Sequence, residues 1–130
     1  MLQGNNVKLS ILIPVYNEIR YLDKFTTELR ASFKDEDVEY IFINDGSTDG
    51  SSNWLEEYIN NINDSNYKLI NYKSNRGKGR ALQEGLKICK GDFILFQDSD
   101  LELDTKDSYE MYSLLQNNKK IKCVFGTRYM

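Results

Sequence analysis

A chain of 130 residues with a formal net charge of −3 is long enough to bury one core, and it lacks the basic surplus that a general nucleic-acid binder needs. Histidine is absent, which excludes His-based triads and His-ligated zinc and leaves carboxylates as the natural metal ligands. No apolar run approaches the ~18 residues of a membrane span and no basic-then-apolar leader is evident, so a single cytoplasmic domain over residues 1–130 is expected.

Apolar runs and helical patterns alternate along the chain. Residues 8–15 (KLSILIPV) read as a buried strand, and Ile19, Leu22, Phe25, Leu29 and Phe33, spaced three or four apart, as the inner face of a helix. Residues 39–44 (EYIFIN) read as a second strand. The turn and N-cap residues Asp45, Gly46, Ser47, Thr48 and Asp49 then lead into a helix carrying Trp54, Leu55, Tyr58, Ile59 and Ile62. A third strand is expected over 67–72, a helix over 80–89 with Ala81, Leu82, Gly85 and Leu86 inward, and a buried strand over 92–97. A helix over 107–118 and a short fifth strand over 122–125 complete the pattern. The sole proline, Pro14, falls near the end of the first strand, where a missing ladder donor is tolerable. Cys89 and Cys123 lack metal-ligand spacing and read as buried, reduced thiols.

Strand and helix in alternation predict an α/β fold, a mostly parallel sheet with right-handed crossovers on both faces. Such sheets bind ligands outside the carboxyl ends of their strands, where strand order reverses. The segments that follow the strands are all polar: 16–18 (YNE), 45–47 (DGS), 75–79 (NRGKG), 98–100 (DSD) and 126–128 (GTR). In 75–79, glycines before a helix N-terminus can cradle an anion, with Arg76 and Lys78 beside it, or can simply make a capped turn.

Asp98, Asp100 and Glu102 alternate behind the fourth strand. In an extended chain alternate side chains point the same way, about 6.6 Å apart, so neighbouring carboxylates can share a cation after a modest bend. Including Glu102 requires the chain to turn after Asp100. Oxygen ligands of this kind suit magnesium or manganese, which would also take oxygens from a substrate diphosphate. The bland reading is that the acids are solvated and cap the next helix; for Asp104 and Asp107 it is preferred, and for Asp98 and Asp100 both readings stand.

Five motifs in order, SILIPVYNE (10–18), INDGSTDGS (43–51), NRGKGRAL (75–82), GDFILFQDSDLELD (91–104) and VFGTRY (124–129), resemble family 2 glycosyltransferases of the GT-A fold. The similarity is to the polyprenyl- and dolichyl-phosphate hexosyltransferase branch, and to its N-terminal donor-binding part only. It implies a Rossmann-like nucleotide-sugar-binding fold in which Pro14, Tyr16 and Glu18 form the nucleotide pocket and Ile43 and Asp45 meet base and ribose. It also implies that Asp98, Ser99 and Asp100 meet ribose, diphosphate and a Mg2+ or Mn2+ ion, with Glu102 as a third metal ligand. Lys78 belongs to the candidate nucleotide-sugar-binding set, and Arg128 faces the phosphates of donor or acceptor; Asp98, Asp100 and Arg128 are the candidate catalytic residues. Asn44 stands where the family usually has aspartate.

The reaction so implied is inverting transfer of a hexose from a UDP- or GDP-hexose. A polyprenyl phosphate acceptor arrives ionised and needs no strong base, whereas a saccharide hydroxyl requires a carboxylate base. A catalytically inactive nucleotide-binding or assembly module is the alternative. No nucleic-acid partner is expected, the full-length protein is placed at the cytoplasmic membrane face, and uncovered apolar surface predicts self-association.

Overall fold

A computed structural model describes residues 7–102 and 104–118. Eight elements alternate: β1 (Leu9–Val15), α1 (Ile19–Ser32), β2 (Val38–Asp45), α2 (Ser51–Ile62), β3 (Tyr67–Tyr72), α3 (Lys78–Ile88), β4 (Phe93–Phe96) and α4 (Thr105–Asn117). The strands form a parallel sheet in the order β3-β2-β1-β4. The chain therefore steps outward from β1 to β2 to β3, then crosses back to lay β4 on the other side of β1. That reversal puts a crevice between the carboxyl ends of β1 and β4.

The two central strands are apolar on both faces, as a doubly covered parallel sheet demands. On one face Leu9, Ile11, Ile13, Val15, Tyr40 and Phe42 pack under Leu22, Phe25 and Leu29 of α1, Leu55 of α2 and Tyr112 of α4. On the other, Leu12, Ile41 and Ile43 pack against Ala81 of α3. Gly85 makes that approach possible, because a Cβ there would collide with the side chain of Leu12. The inner positions of α1 follow the predicted spacing, with Phe33 closing the helix as a buried C-cap residue.

Three expectations are corrected. The 93–96 run is not buried: Ile94 and Phe96 are 41% and 53% exposed, because β4 is paired with β1 alone among the described residues and α3 lies over β1 and β2. Helix α3 begins at Lys78 rather than at residue 80, and Leu86 is exposed rather than inward. Cys89 is half-buried and donates its thiol to the Leu86 carbonyl. Cys123 and the fifth strand expected over 122–125 lie outside the described residues.

Candidate functional site

The turn after β1 is held by the turn after β2. Asn17 adopts a left-handed conformation (φ 53°). Its backbone N–H donates to Ser47 Oγ (3.0 Å), and its side-chain oxygen accepts from the Thr48 N–H (2.7 Å). The next two amides, at the start of α1, are also satisfied from across the gap: Glu18 N–H donates to Ser51 Oγ (3.1 Å) and Ile19 N–H to Asp49 Oδ2 (3.1 Å). Ser51 and Asp49 of INDGSTDGS thus cap a helix distant in sequence, while Ser47 and Thr48 hold the turn before it, and together they fix the direction of Tyr16 and Glu18.

Asp45 ends β2 and is almost fully buried. Its carboxylate accepts from the amides of Arg76 (2.7 Å) and Gly77 (2.8 Å), while Asn75 Nδ2 donates to its carbonyl (3.2 Å). The anion cradled by the 75–79 loop is therefore one of the chain's own. Gly46 follows at φ 75° because the loop backbone at Ser74 and Asn75 passes where any Cβ would stand. Asn44, buried beside it, donates to Ser52 Oγ (2.5 Å) and Asn71 Oδ1 (2.8 Å), joining β2, α2 and β3. An aspartate in its place would have no hydrogen to give either partner.

After β4 the chain is anchored by Gln97, a residue to which sequence reasoning gave no role. Its backbone N–H continues the ladder to the Leu12 carbonyl (3.0 Å), its side-chain oxygen accepts from Ser108 of α4, and its side-chain nitrogen donates to the Asp98 carbonyl (3.2 Å). Ser99 is buried under β1, its hydroxyl directed at the Pro14 carbonyl (3.5 Å). Asp98 Oδ1 lies 2.7 Å from Lys78 Nζ, and Asp100 Oδ1 accepts from the Glu102 N–H (3.1 Å).

These ends converge on a cavity of about 300 Å³ lined by Pro14, Val15, Tyr16, Glu18, Asp45, Asn75, Gly77, Lys78, Asp98, Ser99 and Asp100. Tyr16 stands at the rim, roughly half exposed. Two predicted residues are not brought in. Ile43 is fully buried with its side chain in the α3-side core, so it presents no side chain to the cavity. The chain does turn after Asp100, with Leu101 at φ 65°, but the turn carries Glu102 into a different cleft, beside Lys24 and Glu28 of α1 and Lys106 of α4. Asp104 caps α4, accepting from the Lys106 N–H (2.9 Å), and Asp107 sits in its first turn. Arg128 lies outside the described residues.

Carboxylates dominate the cavity's electrostatics. Burial pushes the Glu18 carboxyl above its ordinary range, and the charges of Asp100, Asp49 and Asp98 push it the same way against the opposing pull of Lys78. Burial acts on Asp49 too, but hydrogen bonds from Ser51 and from the Ile19 N–H outweigh it and hold its carboxyl low. Among the described residues no group of three acidic or thiol side chains is gathered to hold a metal ion. Glu102 lines the neighbouring cleft rather than this cavity. Asp98 and Asp100 remain as two oxygen donors on one cavity, a set that fits a magnesium-like ion completing its shell with water and substrate phosphate and does not fit an all-protein cage.

A parallel sheet whose order reverses at β1, with an acid-lined cavity at the reversal, is a doubly wound α/β domain, and its solved structural neighbours are GT-A glycosyltransferases. A mannosyltransferase from Pyrobaculum calidifontis, solved with GDP-Man and Mn2+, superposes with a TM-score of 0.72 at 19% identity, over 85% of this chain and 32% of its own. S. aureus TarS residues 1–349 in complex with UDP-GlcNAc superpose with a TM-score of 0.67 at 27% identity, over 84% of this chain and 31% of that one. Residues 10–130 match glycosyl transferase family 2, and the chain belongs to that family. A dolichyl-phosphate beta-glucosyltransferase of Dictyostelium discoideum is 30% identical over 138 aligned residues; the alignment covers 95% of this chain and 41% of the relative. The chain therefore spans about two-fifths of that relative's length.

Proposed function

We infer that residues 1–130 form one donor-binding domain of a hexosyltransferase, whose cavity takes a nucleoside diphosphate sugar. Pro14, Tyr16, Glu18 and Asp45 face the nucleoside, and Asp98, Ser99 and Asp100 face the diphosphate. The observation that carries this reading is the meeting of the β1, β2 and β4 ends on one cavity at the strand-order reversal. GDP-Man and UDP-GlcNAc in the complexes of the two solved proteins support the donor class, and leave uracil and guanine both open.

Asp98 and Asp100 would hold a magnesium or manganese ion, which when bound neutralises charge on the departing nucleoside diphosphate. The name of the Dictyostelium relative supports a polyprenyl or dolichyl phosphate acceptor. Such an acceptor is already an anion, so the residues around the cavity need only orient it opposite the leaving diphosphate, with inversion at the anomeric carbon. A chain without histidine suits that demand. Arg128 is assigned to the phosphates by family resemblance, and the site is placed at the cytoplasmic face of a membrane, where a lipid phosphate would be met. Among the described residues no helix is long and apolar enough to cross one.

The test is calorimetry with UDP and GDP, with and without Mn2+, on the wild type and Asp100→Ala. Affinity should depend on Mn2+ and fall about tenfold or more in the variant, as expected when one of two charged ligands is lost. Affinity indifferent to both changes ends the reading. A donor-binding module without transfer of its own is the second reading. Nucleotide binding with no sugar transferred to either a lipid phosphate or a saccharide would select it.

A further inference from the structure

Among the described residues lining the cavity, Lys78 is the single basic side chain, facing Glu18, Asp45, Asp98 and Asp100. The Asp45 charge is already met by two backbone amides. Lys78 instead reaches from the first residue of α3 to Asp98, 2.7 Å away across the crevice, with its own side chain 61% exposed and that of Asp98 22% exposed. The ammonium therefore occupies the carboxylate that the donor reading assigns to a divalent ion.

We propose that Lys78 is the built-in counter-ion of this cavity, holding Asp98 in the nucleotide-free protein and keeping a free divalent cation off the Asp98–Asp100 pair. The physical ground is charge. An ion at about 2.1 Å from a carboxylate oxygen would stand within a few ångströms of an ammonium on the same group, and their repulsion opposes binding. A nucleoside diphosphate changes the balance, since its phosphates offer Lys78 an equivalent anionic partner. The flexible four-carbon stem lets the ammonium swing from carboxylate to phosphate without movement of α3. Metal and nucleotide then enter together, and Lys78 passes from the Asp98 carboxylate to the phosphates.

Exclusion of the free ion stands on the ion pair itself; the exchange onto phosphate rests on the donor reading. The experiment separates the two. Mn2+ alone is titrated into wild type, Lys78→Met and Lys78→Arg, following the loss of the free-ion electron paramagnetic resonance signal. UDP and GDP are then titrated calorimetrically in the presence of Mn2+. Lys78→Met should bind Mn2+ alone about tenfold more tightly than wild type, Lys78→Arg should stay close to wild type, and wild type should bind nucleotide with Mn2+ more tightly than Lys78→Met. Equal affinity of wild type and Lys78→Met for Mn2+ alone overturns the proposal. If the methionine variant gains Mn2+ affinity but no protein binds nucleotide, the donor reading falls and the counter-ion role stands.

Discussion

Asp49 is an exposed turn residue by sequence, yet its carboxylate closes the N-terminal end of α1 as well as accepting from Ser51. Asp49→Ala should lower stability by about 1 kcal/mol, the usual cost of a lost N-cap, measured by urea unfolding. It should also weaken nucleotide binding, because Glu18 and Tyr16 lose their anchor. Glu18 itself carries a penalty when ionised. Its carboxyl is raised in the folded chain, so the stability it contributes is present below the ordinary carboxylate range and is lost as pH rises through the raised value. Glu18→Gln should therefore raise Tm at pH 7, with the gain fading near pH 4 in parallel melting experiments. At this scale the sequence was informative where a motif ends a strand: Asp45, Asp98 and Asp100 all reach the cavity. The turn that Glu102 required is present at Leu101, but its direction, which no spacing specifies, takes the side chain to the neighbouring cleft of α1 and α4. Gln97 gave no signal at all, since a glutamine between an apolar run and an acid looks like any strand end.

Among the elements, β2 carries a second polar centre at its amino-terminal end, away from the cavity. Glu39, fully buried, accepts from Ser10 Oγ (2.6 Å), Lys68 Nζ (2.7 Å) and the Lys90 N–H (2.6 Å), and Gly91 N–H donates to Ser10 Oγ (2.8 Å). This network ties β1, β2 and β3 to the turn that leads into β4. Burial alone would raise the Glu39 carboxyl, but the hydrogen bonds from Lys68, Ser10 and Lys90 hold it below its ordinary value. Its contribution is thus present above the ordinary carboxylate range and disappears as pH falls through the depressed value. Glu39→Ala should destabilise by about 3 kcal/mol at pH 7, toward the lower end for a broken buried pair because Lys68 retains some access to water. Denaturant midpoints for wild type and variant should draw together in acid. The order of elements was legible because short apolar runs alternate with segments whose apolar residues fall three or four apart. What the pattern could not supply was coverage: four apolar residues in a row look alike whether helices lie on both faces or, as for β4 among the described residues, on only one.

For the whole molecule, sheet order matters more than any single contact. Ile94 and Phe96 stand exposed on the strand at one margin of the described sheet, so association through that margin is expected. Ile94→Lys should shift the chain toward monomer in light scattering while leaving nucleotide affinity unchanged; a wild type already monodisperse as a monomer would remove the premise. The parallel arrangement has a further effect. With every described strand running the same way, the cavity-lining loops gather at one pole and the Glu39 network sits toward the other. Substitutions that harden the chain against heat or acid can accordingly be sought at the Glu39 pole without trespassing on donor choice, and specificity can be redrawn at the loop pole while the foundations stay put.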